Sequence, residues 1–244
     1  MEREADGRQA PIMVLVRPQM GENIGAAARA MLNFGLDRMR VVAPRDGWPN
    51  PKAVSMASGA GRVLDHAGLF PDLDAALADC DRVYATTARG RELVKSVLTP
   101  EAAMAEAAAL TKSGGRVAVL FGPERAGLEN DDIIRANAIV TVPVNPEFYS
   151  LNLAQCVLLL AYEWQRQRGA AAPDGMTVDL ANQLEVARLG DHLEERLEAA
   201  RFFFPPDKAP GMKRNLRNML TRWGLTRAEV QTLHGILRQL SRRE

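Results

Sequence analysis

The chain has 244 residues, of which 47% are apolar and 25% charged, and its formal net charge is +1 at pH 7, which is typical of a globular protein. No apolar run reaches 18 residues, because residues 151–162 are interrupted by Asn152 and Gln155, and this argues against a membrane span. The polar N-terminus argues against a secretory signal and the two scattered cysteines against a disulfide framework or a zinc site, so we expect a protein of the reducing cytoplasm.

The first two thirds of the chain alternate between apolar runs and helical patterns. The pattern predicts strands at residues 11–17, 39–43, 82–86, 116–121 and 139–144. It predicts helices at residues 26–34, 52–59, around 75–78, 100–110 and 150–166, with Ser150 as the N-cap of the last. Such alternation predicts an α/β fold with a mostly parallel sheet, helices on both faces, and ligands beyond the carboxyl ends of the strands.

After a small-residue segment at residues 169–175, which is typical of a linker, only helical patterns remain. They predict a three-helix appendage at residues 178–203, 211–223 and 227–240. Because so short a segment can bury only a small core, we expect it to pack against a partner surface. The chain therefore divides into a domain of residues 1–168 and an extension of residues 176–244.

This extension is basic. Residues 201–244 contain ten Lys or Arg and three Asp or Glu, which gives +7 and leaves −6 for residues 1–200. Lys213 and Arg214 lie four and three residues before Arg217, so the three cations share a helix face that could dock on a polyanion. A solvated helix surface without a partner is the alternative.

Two segments follow predicted strands and predict one small-molecule pocket. The segment FGPERAGL at residues 121–128 places Gly122 and Pro123 where the strand should stop. Glu124 and Arg125 come next, and they could also form an ion pair with each other and have no further role. The segment NPEFYSLNLAQC at residues 145–156 leads into a helix N-terminus, which favours an anionic group.

Two further residues need an explanation. Capping accounts for Ser150, but the Asn152 amide lies in the predicted first helical turn without an assigned partner. In GENIGAAARAMLNFG at residues 21–35, Arg29 is the one charge of the predicted helix at residues 26–34, and a snorkelling surface arginine is the alternative to a functional one. This segment lacks GxGxxG, and the chain lacks GK[ST], which argues against dinucleotide and P-loop sites.

Taken together, the motifs resemble those of the SpoU-type, or SPOUT, RNA ribose 2′-O-methyltransferases. Asn23, Gly25 and Arg29, then FGPERAGL, then SLN at residues 150–152 have the family's order and spacing over residues 11–166. ATTAR at residues 85–89 is similar to a strand-end segment of the same family. RNLRNMLTRWGLTRAEVQTLHGIL at residues 214–237 resembles the C-terminal helical region of the TrmJ-type tRNA methyltransferases.

The resemblance implies a deep trefoil knot at roughly residues 80–160, S-adenosyl-L-methionine as methyl donor, and a homodimer with the site near its interface. For TrmJ-type members the substrate is tRNA, methylated on the ribose of the pyrimidine at nucleotide 32 of the anticodon loop, with no DNA or membrane partner. The alternatives are a related 2′-O-methyltransferase that acts on another tRNA position or on ribosomal RNA, and a catalytically silent RNA-binding protein.

The resemblance also implies roles for single residues. The catalytic set is Arg29, Asn23, Glu124, Ser150 and Asn152. The donor-binding set is Thr86, Thr87, Ala88, Gly122, Val142, Pro143, Ser150, Leu151 and Asn152. The RNA-binding set joins Arg29 to the three extension cations Lys213, Arg214 and Arg217. Many TrmJ-like chains carry Arg at the position of Pro123, a departure that could alter RNA contacts without removing donor binding.

Overall fold

The computed structural model describes residues 10–88, 94–168 and 179–241. Its sheet has seven strands, all parallel, in the order β3-β2-β1-β6-β4-β7-β5. The strands are β1 Ile12–Val16, β2 Met39–Val42, β3 Gly68–Phe70, β4 Arg82–Thr86, β5 Ser96–Leu98, β6 Val117–Phe121 and β7 Ala138–Val140. The predicted α/β class with a parallel sheet is confirmed.

Helices cover both faces of this sheet, as predicted. The helices are α1 Gly21–Asn33, α2 Pro51–Ala57, α3 Gly61–Asp65, α4 Leu73–Leu77, α5 Pro100–Lys112, α6 Asn130–Ile133 and α7 Leu153–Gln167. One apolar core lies between the sheet and α1, α2, α3, α5 and α7, and a second lies on the opposite face beneath α4 and α6. Because β1 and β6 are buried on both faces, both are continuous apolar runs.

Four short elements and several element ends differ from the sequence prediction, among them the start of α1, which was predicted at residue 26 and lies at Gly21. The elements α3, β3, β5 and α6, each of three to five residues, were not predicted. The last strand was predicted to reach residue 144 but ends at Val140, where its pairing with β5 also ends. The next residue, Thr141, donates its hydroxyl to the Thr87 carbonyl oxygen at 2.8 Å, and the chain then leaves the sheet.

Gly25 lets α1 and α2 approach closely. A Cβ atom at this position would overlap the carbonyl oxygen of Ala53 and lie 2.8 Å from Met56 Cβ. The second residue of the Asn23–Gly25–Arg29 motif therefore serves packing, and it fixes the orientation of the helix that carries the other two.

Three further helices, α8 Gln183–Ala199, α9 Ala209–Trp223 and α10 Arg227–Leu240, follow as predicted and share a small core that includes Leu189, Leu220 and Val230. Gly224, at φ +61°, separates α9 from α10. The predicted linker at residues 169–175 lies outside the described residues.

The extension contacts the sheet domain of the same chain through hydrogen bonds. Lys95 Nζ donates to the carbonyl oxygens of Ile134 at 3.2 Å and Ala136 at 2.5 Å, and to Thr221 Oγ1 of α9 at 3.0 Å. Asn137 Nδ2 donates to the Thr221 carbonyl oxygen at 2.7 Å. None of the described helices has the length and apolarity that a membrane crossing requires.

Candidate active site

The loop after β6 is a tight turn that sets the position of Glu124. Gly122 is required there because a Cβ atom would overlap the backbone nitrogen of Leu128 and lie 2.9 Å from Gly127 Cα. Gly127 has a φ of +67° and donates its N–H to the Pro123 carbonyl oxygen at 2.8 Å, which closes the loop on itself. Pro123 is buried, and Glu124 next to it is half-buried.

Glu124 connects this loop to the start of α1. Its Oε2 accepts the Gln19 N–H at 2.8 Å, and its Oε1 accepts the Met20 N–H at 3.1 Å and the Asn23 amide Nδ2 at 2.9 Å. The N-cap residue of α1, Met20, has no side-chain cap of its own. A carboxylate from a distant loop therefore lies at the positive end of the helix, where a negative charge is favourable.

Asn152 extends the network to α7. Its Oδ1 caps the helix by accepting the N–H groups of Ala154 at 2.9 Å and Gln155 at 3.4 Å, and its Nδ2 donates to Asn23 Oδ1 at 3.0 Å. The prediction that Ser150 is the N-cap is wrong, because the helix begins at Leu153 and Asn152 caps it in a capping box with Gln155. The Asn152 amide thus has a partner on each side.

A cavity of about 350 Å³ opens beside this network, at the carboxyl ends of β4, β6 and β7. The predicted donor-binding residues that line it are Thr86, Thr87, Ala88, Gly122, Val142, Ser150 and Leu151. Pro143 and Asn152 are absent from the described lining. Pro143 lies beyond the end of β7 and is exposed, while the Asn152 side chain is engaged with the α7 cap and Asn23.

Several lining residues were not predicted, including Phe121, Glu147, Phe148, Tyr149 and Cys156. All five lie in the two segments at residues 121–128 and 145–156. The whole of each segment, rather than only its family motif, could therefore have been predicted to line the cavity. Burial raises the pKa of the Cys156 thiol to about 11, so the sulfur is neutral at pH 7 and serves as a wall rather than as a nucleophile.

Arg29 lies on the exposed side of α1 and is not among the described residues that line this cavity. It forms no ion pair within residues 10–88, 94–168 and 179–241, so its guanidinium is available to an external group. Arg89, the last residue of the ATTAR segment, lies outside the described residues. Within one chain, the structure joins Asn23, Glu124 and Asn152 but leaves Arg29 apart from them.

The three predicted cations of α9 differ from one another. Lys213 pairs with Glu198 of α8, and Arg217 pairs with Glu194 at 2.5 Å and Asp191 at 2.6 Å of the same helix. Arg214 is exposed and makes no ion pair with the described part of the chain. The acidic face of α8 therefore neutralises two of the three charges.

Within the described residues, the cysteines form no disulfide and the acidic side chains form no metal site. Cys80 and Cys156 are both free, and the described residues contain no cluster of His, Cys, Asp or Glu that could hold a metal ion. The candidate site is thus a cavity lined by backbone, apolar and polar side chains, with Glu124, Arg125 and Glu147 as its charged residues. Hydrogen bonds from Glu124 and Asn152 to Asn23 connect it to the helix that carries Arg29.

Known proteins share both parts of this chain. A model of the SpoU rRNA methylase family matches residues 10–162, and a model of the tRNA methyltransferase TrmJ C-terminal domain matches residues 184–244. The chain is 52% identical to the crystal structure of TrmJ from Z. mobilis ZM4, with a TM-score of 0.85, covering 95% of this chain and 99% of that one.

Two curated relatives are similar over nearly their whole length. The tRNA (cytidine/uridine/adenosine-2'-O-)-methyltransferase TrmJ of Pseudomonas aeruginosa strain UCBPP-PA14 is 34% identical over 236 residues, with 92% of this chain and 91% of that protein covered. The tRNA (cytidine/uridine-2'-O-)-methyltransferase TrmJ of Salmonella choleraesuis strain SC-B67 is 37% identical over 237 residues, with coverage of 92% and 93%. With the cavity, the hydrogen-bonded network and both family models in agreement, this chain belongs to the SpoU methylase family, in its TrmJ branch.

Proposed function

We propose that the protein transfers a methyl group from S-adenosyl-L-methionine to the ribose 2′-hydroxyl of a pyrimidine in tRNA, at nucleotide 32 of the anticodon loop. One observation carries the proposal: the cavity at the carboxyl ends of β4, β6 and β7 is joined through Glu124, Asn23 and Asn152 to the helix that bears Arg29. The names of the two curated TrmJ relatives support tRNA and the 2′-oxygen as the target.

The cavity fits the proposed donor in size and chemistry. Its volume of about 350 Å³ falls within the range of ~300–1,000 Å³ that is usual for small-molecule sites. Val142, Leu151 and Phe121 give it apolar walls, and the backbone around Gly122 and Thr87 supplies polar groups. When bound, the donor supplies an activated methyl group on a sulfonium. The chain's own residues fix its orientation and exclude water from it.

Methyl transfer needs an oxygen nucleophile held in line with the methyl group, so positioning carries most of the catalysis. The ribose hydroxyl is weakly acidic and requires a base or strong electrostatic help. We assign that help to Arg29, which acts as a fixed cation or, when desolvated beside a phosphate, as the base. The cationic role is the ordinary one for an arginine, because a guanidinium gives up its proton with difficulty. The Asn23–Glu124 hydrogen bond positions the helix that carries Arg29.

The same proposal includes a division into residues 1–168 and 176–244, a deep trefoil knot at roughly residues 80–160, and a homodimer. The sheet order supports the knot, because β4 lies between the later strands β6 and β7. Leu158 and Tyr162, which α7 exposes, support a second copy. The two free cysteines suit a cytoplasmic location.

Mapping the methylated nucleotide tests the proposal. Unmodified tRNA is incubated with the protein and isotope-labelled S-adenosyl-L-methionine, and the product is digested and sequenced by mass spectrometry. We expect label on the ribose of nucleotide 32. Label elsewhere in the tRNA, or in ribosomal RNA incubated in a parallel reaction, would establish a related enzyme with another target. Donor binding by calorimetry without any methyl transfer would indicate a silent RNA-binding protein.

A further inference from the structure

The loop between α8 and α9 carries aromatic side chains that are exposed at the surface. Residues 201–208 read RFFFPPDK, and the side chains of Phe202 and Phe204 are 54% and 76% exposed. Phe203 between them is half-buried, in edge-to-face contact with Phe202 at 5.5 Å between ring centroids, and Lys213 Nζ lies 5.3 Å from its ring. We call residues 201–208 the aromatic loop.

Backbone hydrogen bonds hold the aromatic loop in one shape. Arg201 and Phe202 donate their N–H groups to the carbonyl oxygens of Glu198 and Leu197, each at 2.9 Å, and Phe204 donates to Phe202 at 3.0 Å. Because the backbone is already ordered, a ligand that contacts the rings has little conformational entropy left to remove.

Exposed cations without ion pairs surround the rings. Arg201 and Lys208 are the first and last residues of the aromatic loop, and Arg214 follows Lys213. None of the three pairs with an acid in the described part of the chain. By contrast, Lys213 and Arg217 are paired with acids of α8. The three unpaired cations outnumber Asp207, the one acid of the loop, so the local field favours an anionic partner.

We propose that the aromatic loop is a stacking platform for unpaired RNA nucleotides, separate from the donor cavity. The Phe204 and Phe202 rings would take the faces of bases, and Arg201, Lys208 and Arg214 the phosphates between them. Surfaces that bind single-stranded nucleic acid combine these two features, since every base has a stacking face and every linkage a charge. The choice of RNA as ligand rests on the proposed function.

The test measures RNA binding by the full chain without methyl donor. The probes are an anticodon stem–loop RNA with unpaired bases and a fully paired RNA duplex of equal length. The variants are Phe204→Ala, the rescue variant Phe204→Trp, and the control Leu240→Ala, which truncates an apolar side chain of 66% exposure in α10. Thermal unfolding and sedimentation of each variant are recorded alongside.

We expect Phe204→Ala to weaken stem–loop binding about tenfold, which corresponds to ~1.4 kcal/mol and lies within the ~1–3 kcal/mol of one stacked base. The slope of log affinity against log salt should not change, because no charge is removed. Phe204→Trp and Leu240→Ala should bind as the wild type does, and duplex binding should not respond to Phe204→Ala.

Equal weakening for duplex and stem–loop, or none for either, would overturn the stacking platform. So would a change of oligomeric state in Phe204→Ala, since the rings would then pack against a second copy. Because the assay contains no methyl donor, its outcome is independent of methyl transfer, and the nucleotide mapping described above judges the proposed function separately.

Discussion

Asn152 donates a hydrogen bond of 3.0 Å to Asn23 across 129 positions of the chain, while its own oxygen caps α7. Removing this side chain should therefore have two effects. We expect Asn152→Ala to cost ~1 kcal/mol of stability through the lost cap and also to lower methyl transfer, because the Asn23 side chain on α1 loses its hydrogen-bond partner. The matched control is Asn182→Ala, which removes the corresponding capping box of α8. Equal activity in both variants would show that the Asn23 contact has no role in the reaction.

Arg29→Ala should lower methyl transfer about 10²-fold or more, in the range lost when a proton-transfer or charge-stabilising group is removed. Arg29→Lys should recover a fraction, since it keeps the charge without the planar fork. Donor affinity by calorimetry should be unchanged, because Arg29 does not line the cavity of the described chain. Arg62→Ala removes an exposed arginine of α3 as control, and near-normal turnover in both Arg29 variants would rule out the assigned role.

Gly25→Ala should lower the free energy of unfolding by ~1–3 kcal/mol, because the added methyl group would overlap Ala53 on α2 and force the helices apart. Gly235→Ala is the matched control, since a Cβ atom meets nothing within 4 Å at this position of α10. In an open helical site, alanine should stabilise by up to ~1 kcal/mol. Urea unfolding measures the free energy of unfolding of both variants. A change of the same sign in Gly25→Ala and Gly235→Ala would contradict the packing role of Gly25.

Lys95 should make stability rise with pH. Burial lowers its pKa to about 7, against ~10.4 for a lysine in an unfolded chain. Between these values the unfolded chain binds one proton more than the folded chain, so the free energy of unfolding increases with pH from 7 upward. Below pH 7 both states are protonated, and Lys95 adds no slope.

Urea unfolding from pH 6 to 10 tests this against Lys95→Met and the exposed control Lys112→Met. The wild type and Lys112→Met should both gain stability relative to Lys95→Met as the pH increases. Parallel curves for all three proteins would mean that the Lys95 ammonium is not desolvated at the junction with α9.

Arg214 and Arg217 should respond differently, although they share a helix face. Arg214→Ala removes an exposed cation that forms no ion pair with the described residues, so it should reduce the salt slope of tRNA binding by ~1, with unfolding unchanged. Arg217→Ala leaves Glu194 and Asp191 of α8 without their partner and should lower the stability of the extension. A reduced salt slope in Arg217→Ala alone would reverse this assignment.

The long, fully buried elements could be read from the sequence because their chemistry is local. All five residues of β6 are buried and apolar, and the predicted bounds of β4 and α10 agree with the structure. The edge strands β3 and β5 have only three residues each and are partly exposed, so they leave no periodic signal.

The site could be predicted in part. Asn23, Glu124 and Asn152 were all singled out by their motifs, but the hydrogen bonds that join Asn23 to the other two depend on the sheet order, which local patterns do not encode. The pairing of Lys213 and Arg217 was missed for the same reason, since their acidic partners lie on a neighbouring helix. Spacing along one helix shows which charges share a face, but it does not show what lies opposite.

The strand order also has a consequence for synthesis. The central strand β6 pairs with β1, which is made about a hundred residues earlier, and its loop meets α7, which is made later. Contacts of such long range favour slow folding. A chain still attached to the ribosome that ends before Asn152 lacks one wall of the cavity, so the proposed donor site is complete only after the whole sheet domain has been translated.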